Sequence, residues 1–254
     1  MRLDIDGIGL EAASWGAAPA AAATLVLLHE GLGCVALWRD FPERLAAATG
    51  CGVFAWSRQG YGQSDPCPLP RPMDYMQREA AQMLPRVLDA AGVGRCVLIG
   101  HSDGASIAAA YAAAGDPRVR GLVLMAPHYF VEAVCLDSIA AAKVAYETGE
   151  LRRRLARYHA DVDSAFRGWN DAWLDPRFRS EFDLTGLLAR IAVPVLQVQG
   201  SDDPYGTVAQ TAAMERARPD LVQTLLVPAR HAPHLEAAAA TLHGIAAMVG
   251  RLAL

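Results

Sequence analysis

Gly100-His101-Ser102-Asp103-Gly104 sets a serine between two glycines, each two residues away, directly after the apolar run Cys96–Gly100 and just before the alanine-rich segment Ala105–Ala114. A strand that turns sharply into a helix there leaves the serine on a strained turn with its hydroxyl exposed, and the glycines let strand and helix approach closely. A serine hydroxyl is a poor nucleophile near neutral pH until an imidazole takes its proton. A carboxylate must then orient that imidazole and stabilise the imidazolium. The negative oxygen that develops on a substrate carbonyl needs preorganised backbone donors. The chemistry open to such a serine is acyl transfer.

Other chemistries find little support. Lys143 is the only lysine, which removes any G-K-[ST] phosphate loop and leaves one position for a Schiff base. Cys34, Cys51, Cys67, Cys96 and Cys135 are odd in number, scattered and without a C-x-x-C pair, against both a disulfide framework and a zinc site and in keeping with a reducing compartment. His231 and His234 lack a third ligand and an H-E-x-x-H frame, so no metal and no cofactor is expected. With 23 basic against 27 acidic residues, a net charge of −4 and the arginines spread along the chain, there is no footprint for nucleic acid. Met1–Glu11 alternates acidic and apolar residues instead of showing a basic stretch and an apolar h-region, and the longest apolar run, Ala17–Leu28, falls short of the ~20 residues of a membrane span. The expectation is a cytoplasmic protein with a small-molecule substrate and no membrane partner; the oligomeric state stays open.

The elements that must position the serine follow from periodicity. Apolar, β-branched runs at Thr24–His29, Val53–Ser57, Cys96–Gly100, Val119–Ala126, Val193–Gly200 and Leu221–Val227 are too short for helices. Amphipathic segments at Phe41–Ala48, Tyr75–Ala91, Ser102–Ala114, Val208–Arg216 and Leu235–Val249 separate them. The alternation predicts an α/β fold, a mainly parallel doubly wound sheet with helices on both faces. Between Pro127 and Pro194 the alternation stops, and the stretch from Tyr129 to about Leu188 reads as helices only. We expect residues 1–127 and 189–254 to form the core and residues 128–188 an inserted helical cap.

With strand, elbow and helix in this order, the chain resembles the α/β-hydrolase superfamily over nearly its whole length. The resemblance implies a catalytic triad in the order Ser, acid, His. Ser102 is then the nucleophile. The acid, third after the strand-ending Gly200, is Asp203, with Asp202 as its competitor; the base is His231, with His234 opening the last helix in a capping or surface role. It also implies an oxyanion hole made by the N–H groups of Asp103 and of Gly31 in the turn His29-Glu30-Gly31-Leu32-Gly33. Glu30 departs from the family there, since glycine is usual, and is expected to point away, paired with Arg58. Ser57-Arg58-Gln59-Gly60-Tyr61-Gly62-Gln63-Ser64 resembles the family's glycine-rich scaffold turn, with Ser57 where an acid is common.

A serine nucleophile excludes the carboxylate-nucleophile branches, haloalkane dehalogenases and epoxide hydrolases. The expected function is hydrolysis of a small, largely apolar carboxylic ester or lactone through an acyl-enzyme on Ser102, with Tyr129, Phe130, Trp169 and Trp173 lining the pocket. Alternatives are an acyl-CoA thioesterase using Arg152, Arg153, Arg154 and Arg157 on phosphate, a carbon–carbon bond hydrolase, or a ligand-binding receptor that retains the triad.

Overall fold

The computed structural model describes residues 1–252 and 254. Eight strands build one sheet: β1 Arg2–Ile5, β2 Ile8–Trp15, β3 Thr24–Leu28, β4 Gly52–Trp56, β5 Cys96–His101, β6 Val119–Met125, β7 Val195–Gly200 and β8 Val222–Val227. Their order is β1-β2-β4-β3-β5-β6-β7-β8, with β1, β2 and β4 antiparallel in succession and every pair from β4 to β8 parallel. Strands β3 to β6 are buried almost throughout, as strands covered by helices on both faces must be.

The helices are α1 Phe41–Thr49, α2 Tyr75–Arg78, α3 Leu84–Ala90, α4 Asp103–Ala112, α5 Ala133–Glu147, α6 Glu150–Leu155, α7 Val162–Leu174, α8 Pro176–Glu181, α9 Thr185–Leu188, α10 Val208–Ala217, α11 Pro233–Glu236 and α12 Ala238–Val249. One core layer packs α1 and α12 on the face carrying Leu25, Leu27, Val97, Ile99 and Val123. The other holds α3 and α4 against Val26, Leu28, Leu98, Leu122 and Leu124, and extends without a break into the aromatic residues of α7 and α8. The helices α5 to α9 all lie between β6 and β7, in the stretch where the sequence offers no strand period; their one extended pairing among the described residues is the bridge from Phe130 to Asp183. No described helix is long and apolar enough to cross a membrane.

The predicted strands and helices agree with the observed ones to within one or two residues, with three differences. The hairpin β1–β2 was not expected. Its signal is the alternation on either side of Asp6-Gly7, both at positive φ (53° and 83°), the turn an antiparallel hairpin prefers. The segment from Tyr75 to Ala90 is interrupted by a π-helical turn at Glu79–Met83. The last helix breaks at Ala237 into α11 and α12.

The chain leaves β3 for β4 on one side and later returns to place β5 on the other side of β3. Such a reversal opens a crevice at the carboxyl ends of the two strands. It closes around Gly104, where an added Cβ would stand 2.0 Å from the Leu28 carbonyl oxygen and 2.7 Å from that of His29. Gly104→Val should therefore lower stability by at least ~2 kcal/mol, because rigid backbone must move. Gly186→Ala, in α9 with open space around it, should be neutral or stabilise by up to ~1 kcal/mol. Urea unfolding of the two variants tests this, and equal effects would refute it.

Candidate active site

Ser102 follows β5 with φ 52° and ψ −118°, a left-handed conformation that L-residues rarely adopt, and α4 begins at the next residue. The strain is held by hydrogen bonds on both sides: Ser102 N–H donates to the Met125 carbonyl at 2.9 Å, and Ala105 N–H and Ser106 N–H donate back to the Ser102 carbonyl. Gly100 allows the turn, since a Cβ there would lie 2.3 Å from the Gly104 carbonyl oxygen.

After β7, Asp203 is buried, its side chain 1% exposed. Its Oδ1 accepts the Tyr205 N–H at 2.8 Å, its Oδ2 the Gln199 Nε2–H at 2.9 Å, and both oxygens lie 2.9 Å from His231 Nδ1. Burial works against the charge of Asp203, but the hydrogen bond and charge of His231 outweigh it and hold the carboxyl below its ordinary range. Because a carboxylate only accepts, Nδ1 carries the proton and Nε2 is free to act as a base. Ser102 and His231 line one cavity of about 100 Å³ with Glu30, Gly31, Leu32, Asp103, His128, Cys135, Ile139, Trp169, Trp173 and Tyr205. Among the described residues no hydrogen bond closes Ser102 Oγ onto His231, a contact that often tightens only around substrate. Asp202, the competing acid, stands at the exposed surface and accepts from the Ser201 hydroxyl.

The turn after β3 is gripped from behind by Arg58. Its Nη1 donates to the His29 carbonyl and its Nη2 to the Glu30 carbonyl at 3.0 Å. Its backbone N–H donates to His29 Nε2 at 3.0 Å, which leaves the His29 proton on Nδ1, 2.7 Å from the same Glu30 oxygen. A trans peptide points its C=O and N–H in opposite directions. With the Glu30 carbonyl held toward Arg58, the Gly31 N–H faces the other way. Neither it nor the Asp103 N–H donates to a protein acceptor among the described residues. Trp169 packs on the Gly31 α-carbon, where a Cβ would meet its indole at 2.2 Å.

The expected Glu30–Arg58 side-chain pair does not form, because Arg58 is occupied by main-chain carbonyls. The Glu30 carboxylate turns instead to His101, with Oε2 3.5 Å from Nδ1. His101 Nε2 donates to the His231 carbonyl at 2.6 Å. Burial opposes the charge of both partners, yet their mutual attraction raises the His101 pKa and holds the Glu30 carboxyl well below the usual range. On the other side of the elbow, Trp173 Nε1–H donates to Tyr75 Oη at 3.0 Å, and the Tyr75 hydroxyl to Asp103 Oδ2. Burial pushes the Asp103 carboxyl up, against the lowering effect of Arg58 and this hydrogen bond.

Of the four aromatic residues expected at the pocket, Trp169 and Trp173 line it. Tyr129 does not: its hydroxyl sits 3.0 Å from Gln197 Oε1 inside the core, and Phe130 packs beside it and bridges to Asp183. The chain turns into the core after β6, so the helical block presents α5 and α7 to the cavity instead of its first residues. His234 is neither a cap nor at the surface; it is 4% exposed and packs on Trp38 at 4.9 Å and His101 at 4.8 Å, and burial pushes its pKa down to about 3. Arg152, Arg153, Arg154 and Arg157 are all exposed, and Arg152 pairs with Asp163 at 2.6 Å. Among the site residues that sequence reasoning passed over are Tyr205, its ring tilted against that of His231 at 4.6 Å, and His128. Position alone could have flagged His128, since it follows the carboxyl end of β6.

An eight-stranded, mostly parallel sheet with an elbow serine at its switch point defines a class of protein, and the family comparison agrees: residues 23–167 match the α/β hydrolase fold, and the chain belongs to that family. It is an α/β hydrolase. Among curated proteins it is similar to one provisionally named the carbamate hydrolase RutD of Pseudomonas savastanoi pv. phaseolicola, 26% identical over 84% of this chain and 88% of that protein. Among solved structures it is similar to the enol-lactonase of Burkholderia xenovorans LB400, with a TM-score of 0.77 and 17% identity over 99% of this chain and all of the other. The esterase RhEst1 of Rhodococcus sp. ECU1013 superposes with a TM-score of 0.72 and 22% identity over 99% and 98% of the two chains.

The Glu30–His101 pair makes stability depend on pH. A raised His101 pKa contributes stability that is complete below ~6.5 and lost as pH rises through the folded value, whereas a depressed Glu30 pKa contributes above ~4.3 and is lost as pH falls through its folded value. The stability difference between wild type and Glu30→Gln should thus be largest near pH 5–6 and shrink at higher pH. Denaturant melts at pH 5.5 and pH 8.5 check this; a difference that does not change with pH would exclude a charged pair.

Proposed function

We propose that this protein is a serine hydrolase that cleaves a small, largely apolar carboxylic ester or lactone through an acyl-enzyme on Ser102. One observation carries the reading: a serine on a strained elbow shares a cavity with a histidine whose far nitrogen is fixed by both oxygens of a buried carboxylate. In this mechanism His231 Nε2 takes the Ser102 proton as Oγ attacks the carbonyl carbon, and Asp203 stabilises the imidazolium. The Gly31 and Asp103 N–H groups receive the developing oxyanion. The imidazolium then protonates the departing oxygen, and a water activated by the same nitrogen releases the acid. The lining of the cavity, mostly apolar and including Trp169 and Trp173, favours a compact acyl group, since an engineered apolar cavity of ~150 Å³ already holds a benzene. The lactonase and the esterase among the similar structures are named for bonds of this kind, and the curated relative is provisionally named for a carbamate.

Ser102→Ala, Asp203→Asn and His231→Ala should each lower kcat on any accepted ester by at least ~10³-fold, and Asp202→Asn should remain within about tenfold of wild type. Steady-state kinetics on a panel of short-chain esters and lactones measures this, with organophosphate labelling of the Ser102 peptide as a second readout. An active Ser102→Ala protein would overturn the assignment. Replacing Arg152, Arg153, Arg154 and Arg157 by glutamine should leave ester hydrolysis unchanged, because these side chains lie outside the cavity. A wild-type preference for acyl-CoA over the matching simple ester, lost in that variant and weakened by salt, would install the thioesterase in place of the esterase.

A further inference from the structure

His128 is 2% exposed and lies on the wall of the cavity that holds Ser102 and His231. Its backbone is fixed twice over: Ser106 Oγ, one turn into α4 from Ser102, donates to the His128 carbonyl at 2.6 Å, and the next amide, that of Tyr129, donates to Gln210 Oε1 at 2.7 Å. Its ring meets Trp173 edge-on at 5.3 Å and 70° and lies 5.8 Å from the ring of His231. Neither ring nitrogen has a hydrogen-bond partner among the described residues. Nδ1 is sealed from solvent, and the Cε1–Nδ1 edge faces Gly206, whose Cβ, if present, would lie 3.4 Å from Cε1 and 3.7 Å from Nδ1. Of the two nitrogens, only Nε2 is left to reach the cavity.

The side chain's protonation follows from this setting. Burial and the neighbouring His231 push the His128 pKa down to about 3, so the ring is neutral wherever an esterase would work. The charged or titratable groups acting on it are His231, Asp203 and His101. A buried N–H without an acceptor costs more than a buried lone pair without a donor. The single proton therefore belongs on Nε2, pointing at the ligand space.

We propose that His128 is a binding residue of this hydrolase, whose Nε2–H donates a hydrogen bond to a second, uncharged oxygen on the substrate, a ketone carbonyl or an ether. The inference rests on the proposed function and sharpens its substrate class. The scissile carbonyl is served by the Gly31 and Asp103 N–H groups and the departing oxygen by His231, so a further donor has to meet a further acceptor. That acceptor is neutral, because the residues that line the cavity include no lysine or arginine and the His128 ring is itself uncharged. A substrate carboxylate would be partly desolvated there with no cation on the wall to pair with. The substrates are thus oxo- or alkoxy-substituted neutral esters or lactones, and dicarboxylates are rejected.

Two measurements test this, one of which needs no turnover. Nitrogen-15 spectra of the histidines, assigned with His128→Gln, should show His128 as the Nε2–H tautomer without titration from pH 5 to pH 9; an Nδ1–H signal or a pKa in that range would overturn the proposal. Phenyl 3-oxobutanoate and phenyl 4-oxopentanoate are then compared with phenyl butanoate and phenyl pentanoate. Wild type should prefer at least one oxo ester to its hydrocarbon match by about tenfold in kcat/KM, independently of pH between 6 and 9. His128→Phe, which keeps a ring against Trp173, should abolish the preference, and His128→Gln, which can still donate, should keep part of it. The same ratio should appear in binding to Ser102→Ala, followed by tryptophan fluorescence. Selective binding without turnover in the wild type would sink the hydrolase reading alone. Equal binding of oxo and hydrocarbon esters, or a preference that survives His128→Phe, would sink the role of His128.

Discussion

Everything at this site depends on how closely the N-terminus of α4 approaches the end of β3. Gly104 has no room for a side chain because the Leu28 and His29 carbonyls occupy it, and Gly100 has none because α4 returns over it. Those two contacts force the backbone between them into the strained turn at Ser102, a conformation stable only when the surrounding hydrogen bonds over-determine it. The same contacts bring the turn His29-Glu30-Gly31 beside Ser102. A reacting group and its electrostatic partners are thus fixed by main-chain packing at the point where the sheet order reverses, ahead of any choice of substrate.

Around that contact the molecule buries several charges, each with a positional task. Arg58 is 2% exposed and spends its donors on two main-chain carbonyls, which turns one peptide group and so aims the Gly31 N–H. Its charge also faces Asp103, so the acid beside Ser102 is not buried unopposed. Glu30 draws His101 toward it, and His101 in turn holds the carbonyl of His231. His159, from the loop before α7, accepts the Gly62 N–H and donates to the Leu32 carbonyl, tying the helical block to the glycine-rich turn and to the turn after β3 at once. Removing any one partner would leave another buried without compensation.

The sequence made much of this legible because strand–elbow–helix is a local pattern with strict requirements. Ser102 with its flanking glycines, the alternation of apolar runs and helices, and the absence of a strand period from 129 to 188 all follow from spacing within a few residues. What could not be read depended on distant partners. Glu30 was expected against Arg58, but an arginine prefers two fixed carbonyls when the chain brings them within reach, and no local pattern reveals that. His234 reads as a cap because it opens a helix, yet Trp38 and Phe41 close over it. Ser57 stands where the resemblance implies an acid; its hydroxyl donates at 2.6 Å to Glu11, so β2 supplies the carboxylate from another strand. Tyr129 and Phe130 sit at the entry to the helical block and were expected at the pocket, but the loop after β6 carries them into the core and leaves His128 at the wall.

The distinction between scaffold and wall also bears on specificity. Hydrolases of this fold share the sheet and the switch point at identities near 20%, so substrate choice has to reside in the residues that the helical block and the strand-end loops add to the rim. Here those residues are Trp169, Trp173, Cys135 and Ile139 from α7 and α5, His128 and Tyr205 from the strand-end loops, and Glu30 from the turn after β3, with no lysine or arginine among them. An anionic acyl group would have to enter a partly desolvated space with no lysine or arginine on its wall to pair with, a penalty that grows as water is excluded. An uncharged acyl group meets no such barrier and gains apolar contact on most sides. Charge and apolar contact are thus the two properties of this lining that bear on an acyl group, and charge weighs first because the cost of desolvating an unpaired ion exceeds the gain from a few apolar contacts.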